Sequence, residues 1–206
     1  LVLLSVIWGS SFILIKKGLI GLTAYQLGSL RIIFTAIFLF TIGFNSFKKI
    51  NKHHYKPIVV SALLGTFIPV YMFALAETEI DSSIASILNS LTPLNTLIFG
   101  YFFFKMMFSK NQLLGVVIGL LGTLMLIVSG ATLNPNQNYW FSVFVIIASV
   151  CYAFNVSIIK KYLQDLNAMS IAVGNFAVIL IPAFIVLFFT GFFSVDIINS
   201  ALVQKS

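Results

Sequence analysis

Apolar residues run through this chain in seven blocks separated by short polar links. The blocks cover about Leu1–Ile15, Tyr25–Phe44, Pro57–Ala76, Ser82–Phe104, Gln112–Ser129, Tyr139–Ile159 and Ala168–Thr190. Each approaches the roughly 20 apolar residues that a helix needs to cross a hydrocarbon core. None alternates with period two, and each is about twice the length of a membrane barrel strand, which excludes a β-barrel. The pattern predicts an all-α polytopic membrane protein with about seven transmembrane helices.

The chain also repeats itself. SVIWGSSFILIKK at Ser5–Lys17 returns 144 positions later as SVCYAFNVSIIKK at Ser149–Lys161, with five identities in thirteen ungapped positions. Trp8 pairs in register with Tyr152, Ser11 with Asn155 and Arg31 with Asn175. The second copy starts at the sixth block, so one repeat holds five helices. An odd number inverts the next copy, an arrangement on which many secondary transporters are built. Residues 1–134 form the first repeat in this reading, and 139–206 open the second. A five-plus-five repeat needs ten helices, so three more are expected after Ser206.

Composition agrees with a bilayer environment. Hydrophobic residues make up 60% of the 206 and charged residues only 8%, against about 25% charged in ordinary soluble chains. The net charge of +7 therefore points to membrane orientation and not to nucleic acid. Lys48, Lys49, Lys52, Lys56, Lys105, Lys110, Lys160 and Lys161 fall on one side. Lys16, Lys17 and Lys205 fall on the other, with the acidic turn Glu77–Asp81. The positive-inside rule puts the amino end in the cytoplasm of a cell-membrane protein. Cys151 is the one cysteine, so no internal disulfide is available.

Three stretches carry a likeness to known proteins. They are WGSSFILIKKGL with Arg31 following in SLRIIFTAIFLF, then FALAETEIDSSIASILNSLTPLNTLIFGYFF, then SKNQLLGVVIGLLGTLMLI. Together they resemble the EamA-like branch of the drug/metabolite transporter superfamily, over one whole repeat and two helices of the next. The resemblance implies a carrier of small polar metabolites, such as amino acids or related compounds, working by alternating access in the direction of efflux. It implies no cofactor and no metal. Such proteins usually carry an acidic–basic pair before the fifth helix; here Met106 stands at the acidic position, which puts an ion pair there in doubt.

Polar residues inside apolar helices mark the candidate path. In the fourth block Ser82, Ser86, Asn89, Ser90, Pro93, Thr96 and Gly100 recur every three or four residues. Pro93 has no N–H, so the carbonyl one turn back, near Asn89, is freed beside an amide side chain. Trp8 with Ser11, and Tyr152 with Asn155, share a helical face within each pair. They either meet across the repeat axis as substrate contacts or serve as packing and interfacial anchors. Tyr71, beside Pro69, is a further wall residue or a packing one. The assigned substrate contacts are Trp8, Ser11, Tyr71, Asn89, Pro93, Tyr152 and Asn155. Arg31 is the ionisable residue well inside a helix. It attracts an anionic group, or it is structural, bonding helix-end carbonyls or pairing with Glu77, Glu79 or Asp81.

The remaining features weigh against other classes. No carboxylate falls in the core of a block, so a proton relay is not expected within this stretch. No His, Asp, Glu or nucleophile constellation converges, which argues against an enzyme. A seven-helix receptor would place its amino end outside, and a retinal type would need a lysine in the seventh block. A lipid-moving protein of similar fold stays open. His53 and His54 lack a third ligand and read as solvated loop residues. Gly115, Gly119 and Gly122 form a small-residue stripe, either for packing within one bundle or for a homodimer. Pro69 and Pro182 mark expected kinks. The partners are the lipid bilayer and a small-molecule substrate.

Overall fold

The computed structural model describes residues 2–133 and 138–194; Lys205 and the rest of 195–206 lie outside them. Its described residues form helices joined by short links, with no strand among them. They comprise α1 (Val2–Gly18), α2 (Ala24–Gly43), α3 (Tyr55–Ala62), α4 (Ile68–Glu79), α5 (Ser82–Asn89), α6 (Thr92–Phe104), α7 (Lys110–Leu133), α8 (Ser142–Tyr162) and α9 (Ala168–Phe189). Five helical runs are long and apolar enough to cross a bilayer: Ala24–Lys49, Lys52–Glu79, Ser82–Phe104, Tyr139–Tyr162 and Ala168–Phe189.

Local sequence explains the boundaries. Thr23 caps α2 reciprocally with Gln26, each side chain bonding the other's backbone N–H, which satisfies donors that a helix start leaves open. Asn167 caps α9 by accepting the Ser170 N–H at 2.8 Å. α6 ends on Lys105 in the left-handed region, φ 53°; the Met106 N–H returns to the Gly100 carbonyl at 3.0 Å, closing the last turn. Between α3 and α4 the helix widens into a π-turn, Leu63–Phe67, with Pro69 just beyond it in the first turn of α4. α9 continues as one helix through Pro182.

Burial is carried by small and branched residues. α2 and α9 share the most extensive packing, around Ile32, Ile33, Ile179, Ala183 and Leu187. Gly43 and Gly174 permit close approach, since a Cβ on Gly43 would fall 2.7 Å from Val173. A second cluster joins α1, α4, α5 and α8 through Ile15, Phe73, Ala76, Ile80, Ile84 and Val145. Outward-facing apolar side chains cover the surface, among them Phe34, Phe38, Ile181, Phe188 and Phe189. In water such a belt would drive aggregation; in a bilayer it is solvated.

Contacts between links define two ends. At one, His54 meets Asp165, and Ser170 Oγ donates to the Ser46 carbonyl at 3.1 Å. There the Lys160 and Lys161 ammonium groups also lie over the Phe108 and Phe104 rings. This end therefore gathers the eight lysines that the charge pattern groups together. At the other end Gln26 Nε2 donates to the Thr190 carbonyl at 3.3 Å. Lys16 also lies there, in the last turn of α1 and not in a loop. Its Nζ donates to the carbonyls of Glu77 (2.8 Å) and Ile80 (3.0 Å), where a cation complements the helix dipole of α4.

Candidate functional site

Arg31 sits about two turns into α2, and its side chain crosses to α1, where Nη2 donates to Ser11 Oγ at 3.1 Å. It interacts electrostatically with Tyr152 of α8 and Glu77 of α4. Among the described residues no carboxylate lies within ion-pair distance of it, and helix-end carbonyls are bonded by Lys16 instead. Neither structural partner expected for Arg31 is the one found. Trp8, one turn from Ser11, is 70% exposed, and it does not meet Tyr152. Instead α1 and α8 approach through a ring series. Phe12 lies edge-on to Phe73 at 5.5 Å, and Phe73 stacks on Tyr152 at 6.1 Å.

Glu77 changes the picture drawn from sequence. It does not lie in an outer turn; α4 continues to Glu79 and carries Glu77 into the bundle with no exposed surface. Ser82 Oγ lies 2.7 Å from its Oε2, and Oε1 has no hydrogen-bond partner. The expectation of no carboxylate in the helical core is therefore corrected.

The register mates of Ser11 and Arg31 are also linked to each other. Ser61 Oγ donates to Asn155 Oδ1 at 2.7 Å and accepts from Asn175 Nδ2 at 3.0 Å. Ser61 is fully buried on α3, one turn before the π-turn. Gly65 inside that turn lies directly against the Asn155 amide, so a Cβ there would overlap it. The absent side chain makes room for Asn155.

The other candidates are dispersed. Tyr71 is buried, and its hydroxyl bonds Ser29 of α2 at 2.8 Å; Gly28 lets its ring lie against the α2 backbone. The fourth block is broken at Ser90–Leu91, so Asn89 ends α5 and Pro93 opens α6. Asn89 Oδ1 accepts from Thr92 at 3.2 Å, and Pro93 is exposed. The polar face expected there is not continuous. Asn95 reaches α8 instead, donating to Ser149 at 2.8 Å. Among the described residues, a Cβ added at Gly115 or Gly122 would meet nothing within 4 Å. A shallow concavity of about 430 Å³ against Asn138, Tyr139, Trp140 and Val143 holds none of these side chains.

At the lysine-rich end His54 is 1% exposed, which corrects its reading as a solvated residue. The Asn51 N–H donates to His54 Nδ1 at 3.1 Å, so the neutral ring carries its proton on Nε2. Nε2 then donates to Asp165 Oδ2 at 2.8 Å, with His53 Nε2 3.7 Å from the same oxygen. The His54 bond holds the Asp165 carboxyl below the ordinary carboxylate range. The three ligand-type atoms lie within 4.8 Å of one another. A cation on His54 Nε2 would displace the proton and set an Nδ1–H against the Asn51 N–H, so the arrangement favours a hydrogen-bonded tie.

Residues 1–128 match the EamA-like transporter family. The chain belongs to that family. An uncharacterized inner membrane transporter of Escherichia coli K12, YedA, is 28% identical over 155 residues, 73% of this chain and 49% of that protein. Solute carrier family 35 member F5 of Bos taurus is 28% identical over 143 residues, 65% of this chain and 27% of that protein. The chain thus spans about half the length of the first relative and about a quarter of the second. No solved structure matches. As an EamA-like protein it is a multi-pass membrane protein.

Within this family member, sequence reasoning missed Ser29, Ser61 and the His54–Asp165 tie, named Glu77 only as one possible partner of Arg31, and left Asn175 as a neutral register mate. Spacing held a signal for Glu77 alone. It lies four residues after Phe73 and three before Ile80, both buried, which places it on the buried stripe of α4.

Proposed function

We propose that this chain is part of a secondary transporter that exports small polar metabolites, such as amino acids or related compounds, by alternating access, with its amino end in the cytoplasm. It carries the first five-helix repeat and the opening helices of an inverted second one. The observation that carries the reading is the Arg31–Ser11 bond inside a transporter-family bundle. A guanidinium there is costly unless it meets an anionic group or a polar path. The linked register mates Asn155 and Asn175 support the repeat, and the eight lysines at one end support the orientation. A non-enzymatic role goes with the transporter reading.

The test is to express the full-length gene and measure which metabolites accumulate outside the cells, with Trp8→Ala as the comparison. Trp8 is exposed, so the variant should reach the membrane at the normal level, and a loss of release would report on function. We expect one class of small polar compounds to be released by the native protein and lost in the variant. Release unchanged by Trp8→Ala would remove Trp8 from the site. No released class at all would remove the export reading.

A further inference from the structure

The junction of α4 and α5 contains a buried carboxyl group whose contacts are completed by its neutral form. Ser82 Oγ lies 2.7 Å from Glu77 Oε2 and 3.0 Å from the Phe12 carbonyl of α1. A serine hydroxyl has one proton to give and two lone pairs to accept with. If that proton goes to a Glu77 carboxylate, the contact with Phe12 has no hydrogen in it. If Glu77 itself carries a proton on Oε2, it donates to Ser82, and Ser82 donates onward to Phe12. Both short contacts are then hydrogen bonds. The bare Oε1, fully buried and without a partner, costs less on a neutral acid than on a carboxylate.

Charge on the surrounding elements sets what the proton would do. Among the charged and titratable groups on the elements packed around Glu77 are Lys16 of α1, Arg31 of α2, Asp81 at the start of α5, Tyr139 in the turn before α8, and Tyr152 of α8; of these Lys16 and Arg31 act on its carboxyl group. Lys16 is committed to the α4 carbonyls. Arg31 is the cation that faces inward, bonded to neutral Ser11 and in electrostatic contact with Glu77. We propose that Glu77 is a proton-binding site that controls anion binding at Arg31, so that the protein carries a small carboxylate together with a proton. This rests on the transporter reading above. The carboxylate form of Glu77 takes one proton from the aqueous face and becomes the acid bonded to Ser82. Protonation thereby adds one positive charge to the Lys16–Glu77–Arg31 set, which an incoming carboxylate neutralises. When the carboxylate leaves, the proton returns to water and Glu77 again balances Arg31. An accumulated acid would leave the cell in this way as an electroneutral pair with its proton.

Two measurements on the full-length protein in liposomes test this. The first is infrared titration, in which the carbonyl stretch of a buried protonated carboxyl group should be present in the native protein, absent in Glu77→Gln and retained in Glu79→Gln. Ser82→Ala should shift that band, which keeps the assignment testable if Glu77→Gln folds poorly. The second is binding of a panel of small carboxylates, from acetate to glutamate, at several pH values. For one linked proton, native affinity should rise about tenfold per pH unit of acidification until Glu77 is fully protonated. Glu77→Gln, a mimic of the neutral acid, should bind with no such slope. A missing infrared band, a band that survives in Glu77→Gln, a pH slope that survives in it, or no carboxylate bound at acid pH would each overturn the proposal. Export that persists without the band would leave the transporter standing and the proton site refuted. The band and the slope without any export would do the reverse.

Discussion

On the proposed repeat, the same two register positions are linked by hydrogen bonds in both copies, and the chemistry of the link differs. In the first, Ser11 and Arg31 bond directly, and the guanidinium brings a full charge between α1 and α2. In the second, Asn155 and Asn175 are neutral, joined through Ser61, with Gly65 opened to admit the Asn155 amide. A neutral amide can bond a hydroxyl on the next helix, as Asn175 Nδ2 does while its Oδ1 is buried without a partner. A guanidinium bonded to one serine still lacks a counter-charge, and the buried Glu77 is the group that can supply or withhold it. If the proposed repeat holds, the difference teaches that one contact serves as a packing element in one half and is charged in the other. The charged copy is where ligand binding is expected.

The comparison breaks most sharply if the first pair is made to resemble the second. Arg31→Asn removes the charge and keeps an amide able to reach Ser11. Because the second repeat shows that an amide is tolerated at this register, folded yield should stay near native. Transport of the exported class should fall by more than about tenfold, a loss of about 1.4 kcal/mol in binding terms. Transport retained with an asparagine there would make Arg31 structural and erase the functional distinction between the two repeats.

Gly65→Ala attacks the neutral copy. The added methyl would overlap the Asn155 amide, forcing it off Ser61 and leaving buried polar atoms without partners. Overpacking of this kind costs about 1–3 kcal/mol, to be read as a lower melting temperature in detergent. Substrate affinity of the protein that remains folded should be unchanged. A Gly65→Ala protein of native stability but altered affinity would instead move ligand contact to the second repeat.

These differences show why only part of the molecule was legible from its sequence. Span positions, helix class and family follow from hydrophobic block length and a few fixed residues, which are local properties. Cross-helix partners are not local. Ser61 reads as one more small residue in an apolar run until α3 is set against both α8 and α9. Glu77 reads as part of an acidic turn, because ETEID looks like a helix end when the hydropathy falls at Ala76; the helix in fact continues, held by Lys16 on its terminal carbonyls. The fourth block looked continuous because its small polar residues keep a helical period across the Ser90–Leu91 break, and periodicity does not register a break. His54 looked solvated among lysines because its partner, Asp165, lies 111 positions away.

The smallest effect concerns that last pair, which ties the two repeats at the lysine-rich end. Asp165 is exposed, and its hydrogen bond from His54 lowers its carboxyl below the ordinary value of 3.8. A group depressed in the folded state stabilises above its unfolded value and loses that contribution as pH falls through the folded one. The tie should therefore be at full strength at neutral pH and fade only below about 3.8. Asp165→Asn should melt slightly below the native protein at neutral pH, with the gap narrowing in added salt and closing in acid. A gap that persisted in strong acid would show that the carboxylate charge is not what holds His54. The His54 ring would then rest on its packing and on the Asn51 N–H alone, and the tie between the repeats would be one of shape.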